Sequence, residues 1–226
     1  MTTTALLRPA FRKMWTLPGV YAPQHDTYLL ARALRQEAVG GGMDVLDVGT
    51  GSGALALLAA HMGARVRATD ISWRAVATAR LNAVRSGQRI EVRRGDLTGP
   101  VGGRRFDLVL SNPPYVPTPG GRGARRAVRT CDGGADGREL VDRLCARSRQ
   151  VLKPRGVLLM THSALCGVGT TLTRLTEAGF RCSVTDRAFV PFGPVLTERL
   201  PWLRAQGLVA QGQDAEELVV VRAERR

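Results

Sequence analysis

The chain has 226 residues, 44% of them hydrophobic and 23% charged, a composition that can bury a continuous core and that excludes a disordered or fibrous chain. Lys and Arg number 33 against 19 Asp and Glu, a formal charge of +14 that favours an anionic partner; yet only Lys13 and Lys153 are lysine, the arginines are spread, and aromatics at 5% leave little for a base-stacking groove. No apolar run approaches the roughly 20 residues a membrane helix needs, and the stretch before Trp15 lacks the apolar segment of a signal peptide.

These features predict a cytoplasmic protein with no membrane association and one domain over 1–226, a helical lead (1–42) followed by an α/β core (43–226). The four cysteines, Cys131, Cys145, Cys166 and Cys182, form no C-x-x-C pair and have no histidines at ligand spacing, so neither a metal site nor a disulfide framework is expected.

In chain order, residues 26–39 read as an amphipathic helix that Asp26 or Thr27 can cap, with Leu29, Leu30, Ala33, Leu34 and Ala38 on one stripe and Gly40 to Gly42 stopping it. A strand over 44–48 runs into the glycine loop Gly49-Thr50-Gly51-Ser52-Gly53 and then into a Leu- and Ala-rich helix ending near Met62. A second strand (65–69) ends at Asp70, and Ser72 caps a helix running to about Arg85. A third strand (89–93) leads to Gly95-Asp96, and a fourth (106–110) to Ser111-Asn112-Pro113-Pro114-Tyr115. The glycine- and arginine-rich stretch 116–136 is too long for a plain connection and is a candidate substrate lip. A helix over 138–152 turns Leu140, Val141, Leu144, Ser148 and Val151 to the core, and a turn at 153–156 leads to a strand over 157–161. Residues 171–178 read as helix, 181–189 and 217–222 as strands, with no crossover helix evident over 191–214. Alternating elements of this kind predict a mostly parallel sheet covered on both faces, with an antiparallel hairpin at one edge.

A strand opening through glycines into a helix lets the backbone approach a ligand and points free N–H groups at an anionic part of it. Asp70, ending the next strand about twenty residues on, is placed to accept both ribose hydroxyl protons, and Asp96 adds a second acid at the same rim. Together they describe an adenosine-containing ligand, either a dinucleotide or S-adenosylmethionine. The G-x-G-x-G spacing, with Asp47 just before it, resembles class I methyltransferases and favours the second. In Asn112-Pro113-Pro114-Tyr115 the prolines stiffen the turn and remove donors, leaving the Asn112 amide oxygen and the Pro113 carbonyl as acceptors suited to an NH₂ group, with Tyr115 as an aromatic face.

With this N-P-P-Y corner the chain resembles the HemK-type protein-glutamine methyltransferases that modify translation termination factors. The resemblance also rests on Val20-Tyr21-Ala22-Pro23-Gln24-His25-Asp26-Thr27 and on Gly133-Gly134-Ala135-Asp136-Gly137-Arg138-Glu139-Leu140, and the short lead is more similar to the compact archaeal and eukaryotic branch. It implies a Rossmann-like fold with a seven-stranded sheet. It implies that S-adenosylmethionine is bound by Tyr21, Thr27, Asp47, Gly49, Thr50, Gly51, Gly53, Asp70, Ile71, Asp96, Leu97 and Asn112, and that Asn112, Pro113 and Tyr115 hold the acceptor. It further implies a release factor as substrate and a small zinc-containing activating partner. His25, where that branch is usually acidic, and the arginine-rich stretch 122–129 depart from the pattern on the substrate side. A small-molecule or peptide acceptor, and an adenine of RNA or DNA, are therefore retained as alternatives.

Overall fold

The computed structural model describes residues 14–119 and 130–226; the arginine-rich stretch 122–129 and the start of the lead lie outside them. One seven-stranded sheet organises the chain: β1 (Asp44–Val48), β2 (Arg65–Asp70), β3 (Ile90–Arg94), β4 (Phe106–Ser111), β5 (Leu152–Ser163), β6 (Phe180–Pro191) and β7 (Ala215–Arg225), in spatial order β3-β2-β1-β4-β5-β7-β6. The first five strands are parallel, and β7 lies antiparallel between β5 and β6. The strands nearest the centre are apolar along most of their length because helices cover both faces: Val45, Leu46, Leu108, Val109, Leu110, Leu158 and Leu159 are all buried. The predicted Rossmann-like architecture is the observed one.

Six α-helices among the described residues surround the sheet: α1 (His25–Gln36), α2 (Ala54–His61), α3 (Trp73–Arg85), α4 (Glu139–Val151), α5 (Val168–Glu177) and α6 (Pro194–Ala205). Three local expectations change. Asp26 and Thr27 do not cap α1 but sit buried in its first turn; Gln24 is the cap, paired reciprocally with Thr27. The predicted turn at 153–156 is a bulge inside β5, where Phe106 pairs Leu152 but Leu108 pairs Val157 and Arg155 takes a φ of +62°. The stretch 191–214 contains α6, so β6 and β7 are joined through a helix and not by a simple hairpin turn.

The parallel half of the sheet puts the carboxyl ends of β1 to β4 along one rim. Ser111 Oγ donates to Val48 O at 2.9 Å, which locks the end of β4 to the end of β1. Asn82 on α3 bridges the lead and the glycine loop, its Nδ2 donating to Trp15 O at 2.8 Å and Ser52 O at 2.9 Å while Trp15 N donates to its Oδ1 at 2.9 Å.

Candidate active site

A cavity of about 480 Å³ opens over this rim. Of the residues singled out in the sequence, Gly49, Thr50, Gly51, Asp70, Ile71, Asp96 and Leu97 line one side, and Tyr21, Thr27, Asn112, Pro113 and Tyr115 the other. Asp47 and Gly53 are set back from the wall. Asp47, 1% exposed, accepts from Thr50 Oγ1 at 2.6 Å and from Ala56 N at 3.2 Å, tying the glycine loop to the first turn of α2. Its burial pushes the carboxyl up to about 6. Gly53 starts α2 at a φ of +84°, and a Cβ there would meet Ala79 of α3 at 3.1 Å, so this glycine permits close helix packing.

Of the five N–H groups of the glycine loop, four are engaged within the protein, so fewer face a ligand than expected. Gly49 N and Thr50 N both donate to Thr69 O, at 2.9 and 3.0 Å, and Gly51 N donates to Asp70 Oδ2 at 2.9 Å. What faces the cavity is open backbone: Gly49 has a φ of +73° and nothing within 4 Å of where a Cβ would stand. Asp70 takes a second hydrogen bond, from Ser72 N to Oδ1 at 2.9 Å. With a further backbone hydrogen bond from Ile71, the carboxyl still keeps a lone pair for a hydroxyl, while burial raises its pKa from the usual value. Leu97 holds a left-handed φ of +46°, pinned by Thr69 Oγ1 donating to its carbonyl at 2.8 Å; the strain sits at the cavity wall. Asp96 is held by two arginines of α4: Arg143 hydrogen-bonds its Oδ2, and Arg147 approaches the same oxygen at 3.1 Å.

On the acceptor side, Asn112 Oδ1 is buried and has no hydrogen-bond partner among the described residues. A buried amide oxygen without a donor costs about 1–3 kcal/mol, and this one lies on the cavity wall, where a ligand N–H could satisfy it. Behind it the two tyrosines converge on one carboxylate: Tyr21 Oη donates to Asp26 Oδ2 at 2.7 Å and Tyr115 Oη to the same atom at 3.0 Å. Burial, reinforced by Asp26, holds both phenols above their ordinary range. Asp26, 3% exposed, thus orients both rings. The sequence reading gave it only a capping role, although its place between the lead tyrosine and Thr27 was the available signal.

The Gly-Gly-x-x-Gly-Arg-Glu segment backs this corner. A Cβ on Gly133 would stand 2.8 Å from Tyr115 Cα, and one on Gly137 only 2.3 Å from Tyr115 O, so both positions demand glycine. Arg138, 7% exposed, spans the gap to the turn before α5, reaching the carbonyls of Cys166 and Gly167 and bonding Asp142 at 2.6 Å. The described ends of the expected substrate lip pair with each other, Val116 N to Cys131 O and Gly133 N to Val116 O, both at 2.9 Å. Arg199 of α6 fastens that base, donating to Pro117 O at 3.0 Å, Thr118 Oγ1 at 3.1 Å and Asp132 Oδ1 at 2.5 Å.

The open loop backbone, the spare lone pair of Asp70 and the orphaned Asn112 oxygen fit an adenosyl group laid along the rim with a nitrogen-bearing acceptor beside it.

A family model described as the methyltransferase small domain matches residues 12–127. A Methanocaldococcus jannaschii protein named as a protein N5-glutamine methyltransferase is 35% identical over 177 residues, covering 77% of this chain and 88% of that one. A release factor glutamine methyltransferase of Geobacter sulfurreducens is 34% identical over 72% of this chain, which spans only 60% of that longer relative. Among solved structures, the E. cuniculi Mtq2–Trm112 complex, described as methylating the eRF1 termination factor, aligns with a TM-score of 0.65 at 24% identity over 92% of this chain and 99% of that one, a likeness of fold.

Proposed function

The chain belongs to the methyltransferase small domain family, and we propose that within it the enzyme methylates the side-chain amide nitrogen of a protein glutamine, its substrate being a translation release factor. It is a methyltransferase, and its cofactor is S-adenosylmethionine. The observation that carries the acceptor reading is the buried, unpartnered Asn112 Oδ1 at the end of β4. A protein acceptor is supported by the names of the relatives, at identities of 34 to 35%.

Bound S-adenosylmethionine supplies an electrophilic methyl group on a sulfonium. Asp70 would accept the ribose hydroxyl protons, and Gly49 would leave room for the ligand against the loop backbone, while Gly51 packs against Tyr21 of the lead. A carboxamide nitrogen is a weak nucleophile because its lone pair is delocalised into the carbonyl. Asn112 Oδ1 and the Pro113 carbonyl would take hydrogen bonds from its NH₂, orienting the nitrogen for transfer and favouring the positive charge that grows there. Tyr115 and Tyr21, held by Asp26, wall the acceptor on its other side and exclude water. On transfer the nitrogen would form its bond to the methyl carbon as the carbon–sulfur bond breaks, the electron pair staying on sulfur to give the neutral demethylated cofactor, and the nitrogen would give up one proton to solvent. His162 stands apart from this step: it is fully buried in β5, its Nδ1 lies 2.9 Å from Ser163 O, and burial lowers its pKa.

The reading is tested by supplying methyl-labelled cofactor with a release factor, total RNA, DNA and a metabolite extract, with and without a small zinc-containing partner of the kind the family resemblance implies. Label on a release-factor glutamine is the expected result. Label confined to nucleic acid or to a small molecule would replace the proposal with one of the retained alternatives.

A further inference from the structure

Behind the tyrosine pair lies a second cavity, of about 170 Å³, which shares Tyr21, Asp26, Tyr115, Val116 and Cys131 with the first and extends away from the rim between α1, β6, α6 and β7. Its walls beyond the shared residues are mostly apolar, among them Val190, Pro191, Val195, Leu196 and Leu218, with the exposed Gln24 and His25 at the start of α1 and one buried acid. Glu216, near the start of β7, lines it at 6% exposure. A side-chain hydrogen bond from Ser163 serves the carboxyl, but Oε2 is buried without a partner among the described residues.

A buried carboxylate oxygen lacking a donor, in a largely apolar pocket, is costly in the free protein and is relieved by taking up a proton or by a ligand that brings an N–H. Burial pushing the Glu216 carboxyl up to about 7 is the response expected of such a group. The neighbouring acid, Asp26, already receives both tyrosine hydroxyls together with Thr27 N and Thr27 Oγ1, so the unmet demand belongs to Glu216. The volume suits about one residue of polypeptide, and the shared wall places it directly next to the Asn112 corner.

We propose that this cavity is a subsite for the acceptor polypeptide, in which Glu216 Oε2 accepts a backbone N–H from a residue flanking the methylated glutamine and the apolar wall takes that residue's side chain. The inference rests on the protein-glutamine reading and deepens it: Glu216 selects a glutamine held in a chain over an isolated carboxamide. It is a specificity-determining residue and takes no part in methyl transfer.

The test measures steady-state constants for a release-factor acceptor and for a single N-acetylated glutamine methylamide, using wild type, Glu216→Gln and Glu216→Leu, with cofactor affinity and thermal stability alongside. Glu216→Leu should raise KM for the polypeptide about tenfold, the upper end of the worth of one buried hydrogen bond, while its kcat stays within about twofold. The ratio of kcat/KM for polypeptide over single amide should fall by a similar factor, and Glu216→Gln, which keeps an acceptor oxygen, should recover most of it. An unchanged ratio, or equal losses on both acceptors accompanied by a lower melting temperature, would overturn the subsite. Absence of polypeptide methylation by the wild type would instead remove the underlying function, and the subsite with it.

Discussion

At the scale of single residues, the site is built from polar atoms whose ordinary partners have been withheld or reassigned. Asn112 Oδ1 has none among the described residues, whereas Asp26 accepts two phenols and Asp96 is engaged by two arginines. Replacing Asn112 by alanine removes an acceptor that acts on the nucleophile and leaves the glycine loop and Asp70 intact. Turnover should therefore drop by about 100-fold or more, with the cofactor dissociation constant, measured by calorimetry, within about threefold of wild type. A variant of near wild-type rate would take from Asn112 the role given to it. The residues legible in the sequence were those whose chemistry follows from position after a strand: Asp70, Asp96 and Asn112 all end or follow predicted strands, and all line the cavity. Asp26 and Glu216 were not legible in these roles. Their importance comes from what folds over them from elsewhere, Tyr115 from the end of β4 in one case and α6 in the other.

At the scale of elements, local pattern succeeded where one face decides the structure and failed where special backbone chemistry intervenes. β1 and β4 are short apolar runs bounded by glycine or proline turns, and they lie where expected. α6 was missed because Pro194 and Pro201 both punctuate it. Pro194 is tolerated in the first turn, where its N–H would be unsatisfied in any case, and Pro201 gives up one helical hydrogen bond within the helix. That hidden helix carries Arg199, which at 11% side-chain exposure meets Asp132 at 12% and clamps the base of the lip beside Tyr115. Arg199→Ala should leave Asp132 buried without this partner, and so cost about 2 kcal/mol or more. Hydrogen exchange at the amides of Val116 and Gly133 should quicken by about tenfold or more, while amides of β1 and β2 keep their protection. Uniform acceleration across the sheet would show that Arg199 supports the whole fold and not the lip.

At the scale of the whole molecule, buried acids give stability a pH dependence whose sign can be stated. Asp44 is held down to about 2 by hydrogen bonds from Arg65 and then Lys153, opposed by partial burial. The stability it adds is present above its usual value and lost as pH falls towards 2. Glu216 is opposite: its folded pKa of about 7 lies above the ordinary 4.5, so the folded state binds the extra proton between those values and stability is lost as pH rises through that window. Asp47, at about 6 from 3.8, acts in the same direction, and His162, lowered by burial, acts against them. Comparing Glu216→Gln with wild type isolates one group: the two should match near pH 4.5, and the variant should gain up to about 3 kcal/mol by pH 8 in denaturant unfolding. A constant difference across the range would mean that Glu216 is not held neutral by its surroundings.

The net charge of +14 did not decide the function, since many arginines are spent on internal pairs such as Arg32 with Asp186, Arg222 with Glu37 and Arg199 with Asp132. The rim of strand ends was foreseeable from the alternating pattern. The tyrosine pair appears only when the turn after β4 folds back onto the start of α1, and the second cavity only when α6 and β7 close behind it, long-range placements that local spacing does not encode. The most direct measurement of the central claim is a crystal structure with S-adenosylmethionine's demethylated product and a glutamine-bearing acceptor peptide bound. The account predicts the ribose hydroxyls on Asp70 and the glutamine NH₂ donating to Asn112 Oδ1 with its nitrogen facing the sulfur; an acceptor seated elsewhere, or Asn112 Oδ1 bonded within the protein, would contradict it.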